Sequence, residues 1–141
     1  MLLIELFNDL FERSGSTKTS ATAWVILYTD KKLILGKRSP SSNNPNLWNF
    51  FGGHIDVGES AVEAACRELK EETGYKIDES KLKEIAKIGS ATYFSAKISD
   101  PNSIGTTKEV SAVKTFKLTD LPNNLHSKTE NFFTNLANLL D

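Results

Sequence analysis

The stretch GGHIDVGESAVEAACRELKEETGY, residues 52–75, constrains this 141-residue chain more than any other segment. Its pattern predicts a helix from Glu59 to Thr73, closed by Gly74 as a C-terminal cap. A helix turns about 100° per residue, so Glu68, Glu71 and Glu72, at i, i+3 and i+4, share one face. Val62, Ala65, Cys66, Leu69 and Thr73 collect broadly opposite the acids, and theirs is the face expected to be buried. In front of the helix, Gly52-Gly53 is expected to break the preceding strand sharply and let the backbone approach a ligand.

A solvated helix surface usually interleaves opposite signs, whereas Glu68 and Glu72 form a like-charge pair that costs about 0.2–0.5 kcal/mol. Lys70 points about 200° away from Glu68 and cannot answer it. The repulsion calls for a cation. Carboxylate oxygens suit Mg²⁺, Mn²⁺ and Ca²⁺, while zinc more often recruits His or Cys. Cys66 projects from the apolar side, and His54 and His126 lie far apart in sequence. A magnesium-like ion facing a phosphate is therefore expected, with a backbone carbonyl freed by the glycine turn as a further ligand. Gly58-Glu59-Ser60 places an acid near the positive end of the helix dipole.

The rest of the chain supplies a single domain, 1–141. Hydrophobic residues make up 39% and charged residues 25%, with a formal net charge of −1, the profile of a soluble globular protein with no general affinity for nucleic acid. Lys31, Lys32, Lys37 and Arg38 could still form a local basic patch. No apolar run is long enough to span a bilayer, and the first residues lack the marks of a signal peptide. Their Leu and Phe spacing predicts an amphipathic helix over about 2–13, packing on its own sheet or on a second subunit. One cysteine, Cys66, makes no internal disulfide, so a cytoplasmic location is expected.

After a polar connector, SGSTKTS (14–20), the run ATAWVILYTDKKLILGKRS reads as a β-hairpin. A loop, SPSSNNPN (39–46), precedes the short strand LWNFF. Strands are expected on either side of Gly89-Ser90, a loop at SDPNSIGTT (99–107), a strand at EVSAVKTFKL, and a closing amphipathic helix around Phe132, Phe133 and Leu136. Adjacent strands this frequent indicate a mixed α/β domain and not a doubly wound parallel sheet.

Gly53, five residues, Glu59, seven residues, then Arg67-Glu68-Leu69-Lys70-Glu71-Glu72-Thr73-Gly74-Tyr75 resembles a complete Nudix box, the signature of the Nudix (MutT-like) hydrolases. Tyr75 takes a position that is more often aliphatic. The flanks LILGKRSPSSNNPNLWNFFGGHIDVGES and EVSAVKTFKLTDLP resemble the family's entry strand and its Leu-Pro turn, so the likeness covers roughly residues 21–140. Phe51 stands where a proline commonly precedes Gly-Gly, and Thr115 where a tryptophan is frequent.

The resemblance implies a Nudix fold, an α/β/α sandwich with a mixed β-sheet, and hydrolysis of a nucleoside diphosphate linked to a group X. It implies Mg²⁺, with Mn²⁺ as a substitute, held by Glu68, Glu71 and Glu72 with the Gly52 carbonyl and Glu59. Arg67 would orient these carboxylates by ion pairing. Glu68 is the first candidate base and Glu109 the second, because relatives often bring another acid from a later strand or loop.

Arg38, ending LILGKR, suits a phosphate by bidentate contact. Of Trp48, Phe50, Phe51, Tyr93 and Phe116, one or two are expected to stack on a base, Trp48, Phe51 and Tyr93 foremost. Few additions surround the box, which resembles a MutT-type nucleoside triphosphate pyrophosphatase. Dinucleoside polyphosphates, for which Tyr93 lies at a suggestive spacing, ADP-ribose and nucleotide sugars are the alternatives, as is a non-catalytic nucleotide sensor. Assembly as a homodimer is the family's common state.

Overall fold

A computed structural model describes residues 21–126 and Thr129. The expected first helix, about 2–13, and the helix around Phe132 lie outside the described residues. Within them, seven strands form one mixed sheet: β1 (Thr22–Thr29), β2 (Lys32–Arg38), β3 (Trp48–Asn49), β4 (Phe51–His54), β5 (Lys83–Ile88), β6 (Ala91–Lys97) and β7 (Val110–Lys117). One α-helix, α1 (Ala61–Thr73), packs against β4 and β1.

The sheet is organised around β1. One edge pairs with β6 in parallel, from Thr22↔Ala91 to Tyr28↔Lys97. The other edge is shared by two antiparallel partners: β2 along Leu27–Thr29 and β4 along Thr22–Val25. The predicted hairpin is present, with Thr29 and Lys32 inside the strands and only Asp30-Lys31 as the turn. Asp30 takes a left-handed conformation (φ 44°), which Asp tolerates better than most residues.

The alternation of β1 divides the core in two. Ala23, Val25 and Leu27 join Phe51, Ala64, Ala65, Leu69 and Phe94 on the helix side. Ile26, on the opposite face, joins Leu33, Leu35, Trp48, Phe50 and Tyr93. Both faces of this sheet are therefore apolar, as a layered α/β domain requires.

Two expectations about the central segment are corrected. Helix α1 starts at Ala61, not Glu59, because Ser60 is the N-cap: its side chain accepts from Glu63 N–H while the Glu63 carboxylate accepts from Ser60 N–H. Gly74 closes the helix in the left-handed conformation (φ 76°), as expected. Gly52-Gly53, in contrast, does not break the strand. It lies inside β4, opposite Trp24 and Ala23. A Cβ on Gly52 would fall 2.2 Å from the Ala23 carbonyl oxygen, so glycine is needed there for close passage beside β1.

The basic residues of β2 and the turn before it also separate. Lys31 and Lys32 sit at the hairpin end, where they line a concavity with Lys117, while Lys37 and Arg38 end the strand about 20 Å away, at roughly 3.3 Å per residue. They do not form one patch.

Candidate active site

Three of the box acids, Glu59, Glu68 and Glu71, converge on a cation that the chain itself provides. Arg67, at the middle of α1, donates from Nε to Glu59 Oε2 (2.8 Å) and from Nη2 to Glu59 Oε1 (3.0 Å). Its Nη1 reaches Glu68 Oε1 at 3.1 Å and Glu71 Oε1 at 3.2 Å, and Nη2 also donates to the His54 carbonyl (2.9 Å). Asp56 adds its charge at 3.5 Å. The planar fork of a guanidinium satisfies this many acceptors where an ammonium would not. These carboxylates hold the Arg67 proton far more firmly than usual.

Glu59, expected among the metal-binding acids, has both oxygens occupied by Arg67, and Oε1 also accepts from Asp56 N–H at 3.0 Å. In this arrangement it anchors the arginine. The bond to Arg67 keeps its carboxyl below the ordinary glutamate range.

Glu72 departs furthest from the sequence expectation. The i, i+3, i+4 geometry puts it with the exposed acids, yet it is only 7% exposed, because the side of α1 that carries Ala65, Leu69 and Glu72 lies against the sheet. Its Oε1 accepts from Gly52 N–H at 2.8 Å. Desolvation pushes the Glu72 carboxyl up to about 8; the Gly52 bond and the charge of Arg38 oppose the shift, while Glu68 and Glu109 reinforce it. Glu68 is raised too, by desolvation first, with Arg67 opposing. Gly53 makes room for this side chain: a Cβ there would meet the Glu68 carboxyl carbon at 2.8 Å.

Glu109, exposed just before β7, lies within electrostatic reach of both Glu68 and Glu72. Arg38 pairs with Val110 in the neighbouring strand, beyond an irregularity in the β2–β7 register, and its Nε donates to the Asn43 carbonyl at 2.6 Å. The structure thus gathers Arg38, Gly52, Glu68, Glu71, Glu72 and Glu109 at one end of the sheet.

The aromatic expectations fare differently. Phe51, expected to contact substrate, is 1% exposed inside the helix-side core, where its ring fills the space between sheet and helix. Trp48 and Tyr93 are packed in the second core cluster, Trp48 edge-on to Phe116 (5.1 Å between centroids) and Tyr93 edge-on to Phe50 (6.3 Å). Their rings belong to the sheet's packing. Cys66 is half-buried, its thiol pushed up by desolvation, and makes no disulfide.

Thr107 is a residue of this site that sequence reasoning passed over as part of a loop. Its hydroxyl donates to the Glu72 carbonyl (2.8 Å) and accepts from Glu109 N–H (3.2 Å). A threonine two residues before an acid is the available signal. The His54 carbonyl left no such trace, since any residue supplies one.

As arranged, no three His, Cys, Asp or Glu side chains among the described residues surround a common point as metal ligands, because Glu59, Glu68 and Glu71 turn to Arg67. The donor chemistry nevertheless fits a hard divalent ion. Glu72 is a desolvated carboxylate beside two others, and its ionised form requires positive charge nearby. A pH dependence follows. Because its folded pKa lies above the unfolded value, protonated Glu72 favours the fold below about pH 4.5, and that contribution is lost as pH rises through about 8. In a chelator, the melting temperature of Glu72→Gln relative to the unsubstituted protein is expected to rise between pH 5 and 8, and Mg²⁺ to narrow the gap. A difference independent of pH contradicts the assignment.

The fold and the acidic helix define a class, and comparison with known proteins agrees. The model of the NUDIX domain family matches residues 18–136, and the chain belongs to that family. It is 49% identical over 69 residues to an m7GpppN-mRNA hydrolase of Xenopus laevis, covering 48% of this chain and 23% of that protein. Over 51 residues it is 45% identical to a putative 8-oxo-dGTP diphosphatase of Bacillus subtilis (strain 168), covering 36% and 32%. With the ADP compounds hydrolase NudE of Escherichia coli (strain K12) it shares 34% over 90 residues, 63% of this chain and 47% of the other. The match therefore spans less than half the length of each of these relatives. In structure, a MutT NUDIX hydrolase from Burkholderia pseudomallei superposes with TM-score 0.68 at 22% identity, covering 83% of this chain and 97% of that one. Among the described residues, no helix is long and apolar enough to cross a membrane.

Proposed function

We propose that the protein is a Mg²⁺-dependent hydrolase that cleaves a pyrophosphate bond in a nucleoside diphosphate linked to X, with nucleoside triphosphates as the favoured substrates. The observation that carries this reading is the grouping of Glu68, Glu71, Glu72 and Glu109 at one sheet end, ordered by Arg67 and bordered by Arg38. Family membership supports the pyrophosphohydrolase class. Two relatives named for triphosphates, the 8-oxo-dGTP diphosphatase and a CTP pyrophosphohydrolase of Escherichia coli (strain K12), support the substrate preference.

Glu68, Glu71 and Glu72, with the Gly52 carbonyl, would hold Mg²⁺ or Mn²⁺. Bound there, such an ion supplies charge neutralisation at the phosphate oxygens and lowers the pKa of water. The chain does the rest. Arg67 keeps the carboxylates of Glu68 and Glu71 oriented, and Glu59 and the His54 carbonyl keep Arg67 in place. Arg38 meets a phosphate oxygen with the guanidinium nitrogens not engaged by Asn43. Glu68, first choice as base from sequence, is paired with Arg67 and packed against Gly53, while Glu109 is exposed beside the cluster. We therefore assign Glu109 as acceptor of the attacking water's proton, as the P–O bond to the leaving phosphate breaks.

The test is phosphate release, coupled to an inorganic pyrophosphatase or a phosphatase, over nucleoside triphosphates, oxidised guanine nucleotides, capped dinucleotides, ADP-ribose, nucleotide sugars and dinucleoside polyphosphates, with and without Mg²⁺. Magnesium-dependent turnover led by a triphosphate is expected. Faster hydrolysis of a dinucleotide or of ADP-ribose overturns the substrate preference, and nucleotide binding without any turnover overturns the hydrolase in favour of a sensor.

A further inference from the structure

The C-terminal end of α1 leaves backbone carbonyls without helical partners, and the way they are satisfied bears on the position of Glu109. Gly74 N–H answers the Lys70 carbonyl at 2.8 Å, and the Thr73 hydroxyl answers Leu69 at 2.6 Å. The last two carbonyls turn to a distant segment: Thr73 O accepts from Gly105 N–H (3.1 Å) and Glu72 O from the Thr107 hydroxyl (2.8 Å). The loop over 105–109 thus serves as the cap of the acidic helix.

The same loop is held at its other end. Thr107 N–H donates to the Val110 carbonyl (3.0 Å), and the Glu109 carbonyl accepts from Ser39 N–H (2.9 Å), next to Arg38. Glu109 N–H donates to the Thr107 hydroxyl at 3.2 Å. That hydroxyl is donor to residue 72 and acceptor from residue 109 at once. A methyl group in its place can do neither, while serine can do both.

We propose that Thr107 is a positioning residue, whose hydroxyl bridges the backbones of Glu72 and Glu109 and so fixes where the Glu109 carboxylate stands relative to the box acids. This rests on the reading of Glu109 as proton acceptor. Residue 72 becomes the common point of the site: its side chain is tied to β4 through Gly52, and its carbonyl to the loop through Thr107. A displacement of about 1 Å in a reacting group costs on the order of 100-fold in rate.

The experiment compares Thr107→Val, Thr107→Ser, Glu109→Gln and the Thr107→Val/Glu109→Gln double variant, in the full chain. Thr107→Val is expected to lose about 10- to 100-fold in kcat with KM nearly unchanged, and Thr107→Ser to keep most of the rate. In the Glu109→Gln background, Thr107→Val should cost nothing more. Amide hydrogen exchange, which needs no turnover, should quicken about tenfold or more at Glu109 in Thr107→Val and recover in Thr107→Ser. Equal losses in both backgrounds, or unchanged exchange, overturn the proposal. Glu109→Gln as fast as the unsubstituted protein instead overturns the proton assignment, and the exchange measurement then judges the Thr107 bridge by itself.

Discussion

Glu72→Gln is expected to lower kcat by about 10²- to 10³-fold while the fold is retained. The amide keeps an oxygen for Gly52 N–H, so the link between α1 and β4 survives, but the negative charge at the centre of the cluster is gone. Glu71→Gln should cost a similar factor in rate for the same reason. The two differ in stability. Glu71 is half-exposed and, among the described residues, pairs with Arg67, so its replacement leaves the chelated protein's melting temperature near its original value. Glu72 is buried, and removing its ionisation should raise that temperature at pH 8. Steady-state rates and melting curves of the two variants decide this. Full activity in either one removes that acid from the metal assignment.

Gly52→Ala is expected to be the most destabilising small substitution in the domain. The added carbon would lie 2.2 Å from the Ala23 carbonyl and 2.9 Å from the Trp24 Cα, and both are backbone atoms of the central strand. Gly52 also has φ 155°, a conformation that L side chains rarely adopt. Overpacking of this kind costs typically 1–3 kcal/mol, and with a backbone obstacle we expect about 3 kcal/mol or more. Gly53→Ala offers the contrast. Its nearest obstacle is the movable end of Glu68, so the protein should fold and lose activity as that carboxylate shifts. Chemical denaturation of both variants tests the pair, and equal stabilities refute the distinction.

Much of the frame was legible in the sequence because local chemistry decides it. The two β-rich apolar runs around VILYT and LILG, parted by polar residues, announced the β1–β2 hairpin, and Gly89 marked the turn between β5 and β6. Gly74 marked the end of α1 through a local left-handed cap, while the start, read at Glu59, lies two residues on because Ser60 and Glu63 form a capping box. What escaped depends on neighbours remote in sequence. Gly52-Gly53 reads as a turn until β1 is laid beside it, and then the glycines are required by an extended strand. Glu72 belongs to the acidic face by helical angle, yet the packing of α1 on β4 buries it. Phe51 is as good a stacking residue as Trp48 on paper, but β4 turns its ring into the helix-side core, where it is 1% exposed. Thr107 acquires meaning only because residue 72 lies 35 positions earlier and within hydrogen-bond reach. The proximity of Glu68, Glu71 and Glu72 could be read from their spacing, which a single helix enforces.

The placement of β1 has a consequence for how the chain is born. Its β2 and β4 partners follow closely, but the whole of its other edge waits for β6, whose first residue, Ala91, pairs with Thr22. During synthesis, an apolar strand with one bare hydrogen-bonding edge therefore emerges from the ribosome well before its parallel mate. At about 5–20 residues per second, that interval lasts several seconds. The nascent chain is at greatest risk of pairing with a stranger in those seconds, and chaperone capture should peak when translation is paused after the acidic helix and before residue 91.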